Sequence, residues 1–159
     1  MTRLIAGSDA FFGWMLGGSA PVPGLKLPPG GIEEPATLEM LRGLTERIRT
    51  IHGRGDWLIV EDDEVVGMCS YIRPADAEGV VEIGYGIAAC HRGRHHATRA
   101  VAIMLEEMAS DPLIRGVSAG TATANVASQR VLEANGFART GTRIDPEDGE
   151  VIVWRRDIR

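Results

Sequence analysis

The chain has 159 residues, 44% of them hydrophobic and 25% charged, with a net charge of −5. That composition suits one globular domain over residues 1–159 with a real core, and its acidity argues against a broad nucleic-acid surface. No apolar run is long enough for a membrane span. Lys26 is the only lysine, which speaks against Schiff-base chemistry, and Cys69 and Cys90 suit a reducing cytoplasm better than a disulfide framework.

The first residues resemble a secretory signal only superficially. Arg3 precedes an apolar run, but Asp9 interrupts it and no second positive charge supports it, so a first strand over 4–6 followed by a cap at Ser8-Asp9 is the better reading. Residues 9–16 then read as a short helix. A Gly/Pro-rich connection over 17–35 has the length of a functional loop. Thr37 is placed to cap a second helix with Leu38, Leu41, Leu44 and Ile48 on one face. Strands over Asp56–Glu61 and 65–72 form a hairpin around an acidic turn, and Val80–Ile87 is the longest strand.

A helix over 94–110 follows, its apolar stripe running through Ala97, Ala100, Val101, Met104, Leu105 and Met108, stopped by Asp111-Pro112. Residues 116–121 form a strand, and a helix over 125–134 is capped by Asn125 and ended by Gly136. Strands over 138–142 and 151–155 close the order βααβββαβαββ around an acidic loop at 145–150. This is an α/β sandwich on a mixed sheet.

The stretch from Glu82 to Thr98 carries the chemistry. A strand runs through Ile87 and Ala88 into a turn, Arg92-Gly93-Arg94-His95-His96-Ala97, that opens a helix. Backbone N–H groups at a helix start lack internal partners, and the helix dipole with two guanidinium groups adds positive potential. That construction binds an anion, and a diphosphate fits it best. The alternative of a metal held by Cys90, His91, His95 and His96 fails because arginines interleave with the would-be ligands and no carboxylate is near in sequence, so no metal is expected. Glu82 shares a strand face with Gly84, Gly86 and Ala88, which leaves room beside its carboxylate. Tyr85 faces the other way, toward the core. Trp14, Trp57 and Trp154 read as packing anchors, with Phe12 and Trp14 near enough to the long loop to line a pocket.

The turn resembles the Arg/Gln-x-x-Gly-x-Gly/Ala motif of the GNAT superfamily of acyl-CoA N-acyltransferases. Residues 125–137 resemble the Asn-x-x-Ser-x-Arg-Val-Leu-Glu-x-x-Gly-Phe motif of its ribosomal-protein alanine acetyltransferase branch. The resemblance implies a mixed, mostly antiparallel sheet flanked by helices. It also implies acetyl transfer from acetyl-CoA to a primary amine, a protein N-terminus or a small molecule, by direct attack on the thioester.

It further implies site residues. Arg92, Gly93, Arg94, His95, His96, Ala97 and Thr98 would hold the pyrophosphate. The main chain of Ile87 and Ala88, on a bulged strand, would pair with the pantetheine arm and thioester carbonyl. Asn125 would contact the pantetheine, Ser128 would contact the coenzyme and protonate the thiolate, and Glu82 would act as base. The partners are then acetyl-CoA and an amine, with no nucleic acid, no membrane and a homodimer left open; the location is cytoplasmic.

Two departures stand out. His95 replaces a glycine. A left-handed backbone there would cost about 1–2 kcal/mol, but because the turn starts a right-handed helix, close ligand approach is the expected reason for glycine. Leu132 replaces the tyrosine that commonly protonates the thiolate. These departures favour one rival, a noncatalytic acyl-CoA-binding sensor with the same fold.

Overall fold

The computed structural model describes residues 1–158. Strands β1 (Thr2–Ala6), β2 (Asp56–Glu61), β3 (Glu64–Arg73), β4 (Val80–Ile87), β5 (Gly116–Ala122), β6 (Ala138–Asp145) and β7 (Gly149–Asp157) form a seven-stranded sheet in the order β1-β2-β3-β4-β5-β7-β6. Only β4 and β5 run parallel. Helices α1 (Asp9–Met15), α2 (Pro35–His52), α3 (His96–Ala109) and α4 (Val126–Ala134) complete the expected order βααβββαβαββ.

Alternation along the strands divides the core between the two sheet faces. Trp57 and Ile59 of β2 and Val81 and Ile83 of β4 pack with Val101, Met104 and Met108 of α3 and Leu132 of α4. Leu58 and Val60 of β2 and Met68 of β3 pack instead with Phe11, Phe12 and Trp14 of α1 and Leu38 of α2. Phe12 and Trp14 are therefore core residues, which bears out the packing-anchor reading of Trp14 rather than the alternative of an acceptor pocket. Trp154 is buried with its indole N–H donated to Thr121 Oγ1 at 2.9 Å.

Several boundaries differ from the sequence reading for local reasons. Helix α2 starts two residues before the expected cap, because Pro35 sits at the first helical position, where a missing N–H costs nothing. Helix α3 starts at His96 rather than residue 94, with a short 3-10 turn over Ala89–His91 ahead of it. The acidic loop at 145–150 shrinks to a tight turn between longer strands, where Asp145 accepts from the N–H groups of Glu147 and Asp148 at 2.8 and 3.0 Å. The bulge expected in β4 lies in β3, where the register slips between Tyr71 and Arg73.

The long connection over 17–35 is tied down midway. Lys26 N–H donates to Asp63 O, Val65 N–H donates to Lys26 O, both at 2.8 Å, and Leu25 is buried. Among the described residues, no helix is long and apolar enough to cross a membrane.

Candidate active site

The two parallel strands part midway. β4 and β5 pair only from Val80 to Ile83 and from Gly116 to Ala119, while β4 continues to Ile87 and β5 to Ala122. Ala88 N–H donates to Val66 O of β3, so alternation turns the main-chain groups of Tyr85 and Ile87 toward the opening. Apart from the Ile87 carbonyl, which accepts from Arg92, backbone groups on such an edge call for a partner, and an extended chain with amide groups of its own would supply one. Of the two residues expected to contact pantetheine, Ile87 meets the opening. Ala88 is buried, with its N–H given to Val66 and its carbonyl accepting from His91 N–H at 2.9 Å.

The opening leads to the basic turn. Arg92 and Arg94 are exposed, and Arg92 Nε donates to Ile87 O at 3.2 Å, which holds its guanidinium over the end of β4. Gly93 has φ +80 with open space where a Cβ would stand. Helical geometry leaves the N–H groups of His96, Ala97 and Thr98 without intrahelical acceptors, and no side chain caps the helix start. The turn thus brings uncapped main-chain donors and two exposed guanidinium groups to one helix start.

His95 corrects the expectation made for it. It adopts φ 62 and ψ 20, the left-handed region, so glycine suits that position for its backbone conformation and not only for ligand clearance. Histidine is among the side chains enriched there, at a cost of about 1–2 kcal/mol.

His96, by contrast, is buried inside the fold. Its Nδ1 accepts from Arg99 at 3.1 Å, and Arg99 also donates to Arg94 O at 3.0 Å and to Thr2 Oγ1 at 2.8 Å. Burial, followed by the nearby Arg99 charge, pushes the His96 imidazole below its usual value and keeps it neutral. Arg99 braces the turn from behind, a role the sequence reading missed. On the other flank, a hydrogen bond between His91 Nε2 and the Glu64 carboxylate ties the turn to the β2–β3 hairpin.

Helix α4 faces the opening from the β5 side. Asn125 caps it, accepting from Ser128 N–H at 3.1 Å, and stays exposed with its amide donors available. Ser128 is half-buried, and its Oγ lies 2.8 Å from the Tyr85 hydroxyl. Tyr85 does lie on the α3/α4 face, as expected, but its polar end reaches Ser128 rather than ending in apolar packing. Leu132 is fully buried in the core.

The opposite face of β4 forms a floor whose glycines are covered: Ile72 Cδ1 lies 2.5 Å from where a Cβ on Gly84 would stand, so the room expected beside Glu82 is taken there. Glu82 lies 3.8 Å from Arg143 of β6, which reaches it across Gly120 of β5. Farther along, a Cβ on Gly86 would stand 2.7 Å from Glu33 Oε1 and would push that carboxylate aside. Desolvation raises the Glu33 pKa above the usual carboxylate value. Glu33 and Arg143 escaped the sequence reading. The only signal for Glu33 was its place at the end of the long loop, and Arg143 depends on strand register.

One other feature resembles a site. His52 and Asp111 pair at 2.8 Å beside a cavity of about 320 Å³, but His52 Nε2 already accepts from Ala75 N–H at 3.2 Å, so neither ring nitrogen is left for proton transfer. Among the described residues, no group of three or more His, Cys, Asp or Glu is arranged to hold a metal ion.

Comparison with known proteins agrees with this geometry. The family profile described as an acetyltransferase (GNAT) domain matches residues 27–138, and the chain belongs to that family. An uncharacterized N-acetyltransferase, YjdG, of Bacillus subtilis (strain 168) is 29% identical over 87 residues, 54% of this chain and 52% of the relative, so the match spans about half of that protein.

Among solved structures, the ribosomal-protein alpha-N-acetyltransferase RimL in complex with coenzyme A superposes with a TM-score of 0.72 at 18% identity, covering 98% of this chain and 93% of its own. An aminoglycoside acetyltransferase, AAC(6')-Ib, in complex with coenzyme A gives 0.69 at 18% identity, covering 99% and 95%. At that identity the two structures attest the fold.

Proposed function

We propose that the chain transfers an acetyl group from acetyl-CoA to a primary amine. The observation that carries this reading is the parting of β4 from β5 at the mouth of the basic turn, a slot with main-chain donors along one wall and an anion site at its end. The pyrophosphate would sit on the N–H groups of His96, Ala97 and Thr98 beside Arg92 and Arg94. The pantetheine would run along the β4 edge at Ile87, with Asn125 at its flank. A main-chain N–H aimed at the thioester oxygen is typically worth about 3 kcal/mol to the transition state.

The amine would approach over this floor, past the Ile72 side chain that covers Gly84, where Glu82 takes its proton through a water and Glu33 adds negative charge. A lysine-like ammonium costs about 4.6 kcal/mol to deprotonate at pH 7, whereas an α-amine costs about 1 kcal/mol. Two carboxylates over that floor favour a cationic acceptor, either a protein N-terminus or a small-molecule amine.

Thiol release from acetyl-CoA with a panel of amines tests the reading, and wild type should release thiol with at least one cationic amine. Binding of acetyl-CoA without release for any amine would point to the noncatalytic sensor instead. Glu82→Gln should slow transfer by about a hundredfold or more, on the scale of a lost general base. An unaltered rate from about pH 6 to about pH 9 would remove Glu82 from that role.

A further inference from the structure

We propose that Tyr85 is a positioning residue for the departing thiolate, its hydroxyl setting the direction in which the Ser128 hydroxyl donates. The proposal rests on the acetyltransferase reading and on Ser128 facing the sulfur. It starts from a polar contact at a position where the strand pattern requires only an apolar side chain.

Tyr85 is the second residue of β4 beyond the last pair with β5, and Ser128 lies in the first turn of the helix that follows β5. Their contact therefore bridges the opening in which the thioester would lie. The Tyr85 oxygen stands 2.8 Å from Ser128 Oγ and 3.1 Å from the Ser128 carbonyl oxygen. Two proton arrangements satisfy this geometry. In one, Tyr85 donates to the carbonyl and Ser128 donates to Tyr85, a closed pair. In the other, Tyr85 donates to Ser128 Oγ, and the Ser128 proton turns outward into the opening. Rotation of two hydroxyl hydrogens interconverts them without moving a heavy atom.

The second arrangement is the useful one. As the nitrogen–carbon bond forms and the carbon–sulfur bond breaks, the electron pair moves to sulfur and Ser128 donates a hydrogen bond to it. Glu82 passes the ammonium proton it took before attack on to solvent, then accepts the second amine proton as the nitrogen–carbon bond forms, and the thiolate leaves hydrogen-bonded, to be protonated by solvent. Neither hydroxyl ionises. Burial holds the Tyr85 phenol above its usual value, an effect the Ser128 hydrogen bond partly offsets, so the proton needed for this bond is always present. Leu132 packs in the core where a phenol commonly stands in the resembling family, and Tyr85 brings a phenol to the opening from the facing strand instead.

Tyr85→Phe removes one oxygen and keeps the ring. We expect kcat to fall about tenfold, the scale of one lost hydrogen bond, while KM for both substrates and the calorimetric affinity for acetyl-CoA stay within about twofold. Adding Tyr85→Phe to Ser128→Ala should cost nothing further, because Tyr85 acts only through Ser128. A purely structural role would instead show as lost stability or weakened affinity with kcat retained. Unchanged kcat in Tyr85→Phe, or the same loss in the Ser128→Ala background, overturns the proposal and leaves the acetyltransferase reading standing. A wild type that binds acetyl-CoA but acylates no amine overturns both.

Discussion

His95 shows how one dihedral angle sets the meaning of a residue. Its side chain is exposed and makes no cap, so what the position demands is a left-handed backbone. His95→Gly should therefore stabilise the protein by about 1 kcal/mol, or roughly 2–4 °C in Tm, in a thermal melt. An unchanged or lower Tm would mean that contacts of the imidazole outweigh the backbone strain. The sequence suggested an unusual residue in the turn but not the reason, because φ is not legible from side-chain chemistry.

Ser128 and Asn125 were better indicated, since a cap motif fixes their spacing on α4. Tyr85 was half legible: alternation gave its face, but the length of a phenol reaching across the opening depends on where α4 lies. Glu33 was invisible, because its value comes from a glycine more than fifty positions away.

At the scale of elements, the apolar face of α3 is the best-specified part of the chain. Its apolar stripe was readable to the last turn, yet the start fell two residues late because the left-handed His95 ends the preceding turn. His96 then becomes the first helical residue and is buried with Nδ1 accepting from Arg99.

That arrangement requires a neutral imidazole and sets a pH dependence. The unfolded chain binds a proton at His96 near pH 6.5, while the folded protein binds it only at lower pH. Protons therefore favour the unfolded state over that window, and stability falls as pH drops from about 6.5 through the depressed folded value. Wild type should lose more Tm than His96→Gln between about pH 7.5 and pH 5. Parallel losses would show that His96 is not protonated against a folding cost. The turns around 145–150 and 35–37 were misjudged for a related reason: acidic and proline residues mark ends of elements, but local hydrogen bonds decide which side of the end they occupy.

For the whole molecule, the sheet order and the parting of β4 from β5 are long-range facts. Periodicity identified both strands and the motifs after each, and the resemblance implied the sheet in which they meet. It did not show that pairing stops at Ile83 and Ala119, nor that Arg143 crosses β5 to reach Glu82. Local structure was legible, in the exposed turn from Arg92 to Arg94 ahead of α3 and the cap at Asn125, and illegible where separate strands converge on one floor.

The most direct measurement is calorimetric titration of acetyl-CoA into wild type and into the double variant Arg92→Ala, Arg94→Ala. Both side chains are exposed, so the variant should fold normally. If the turn grips the pyrophosphate, affinity falls by about tenfold or more, as expected for lost charge-assisted hydrogen bonds. Equal affinity in the two proteins would place the coenzyme's phosphates elsewhere and contradict the account.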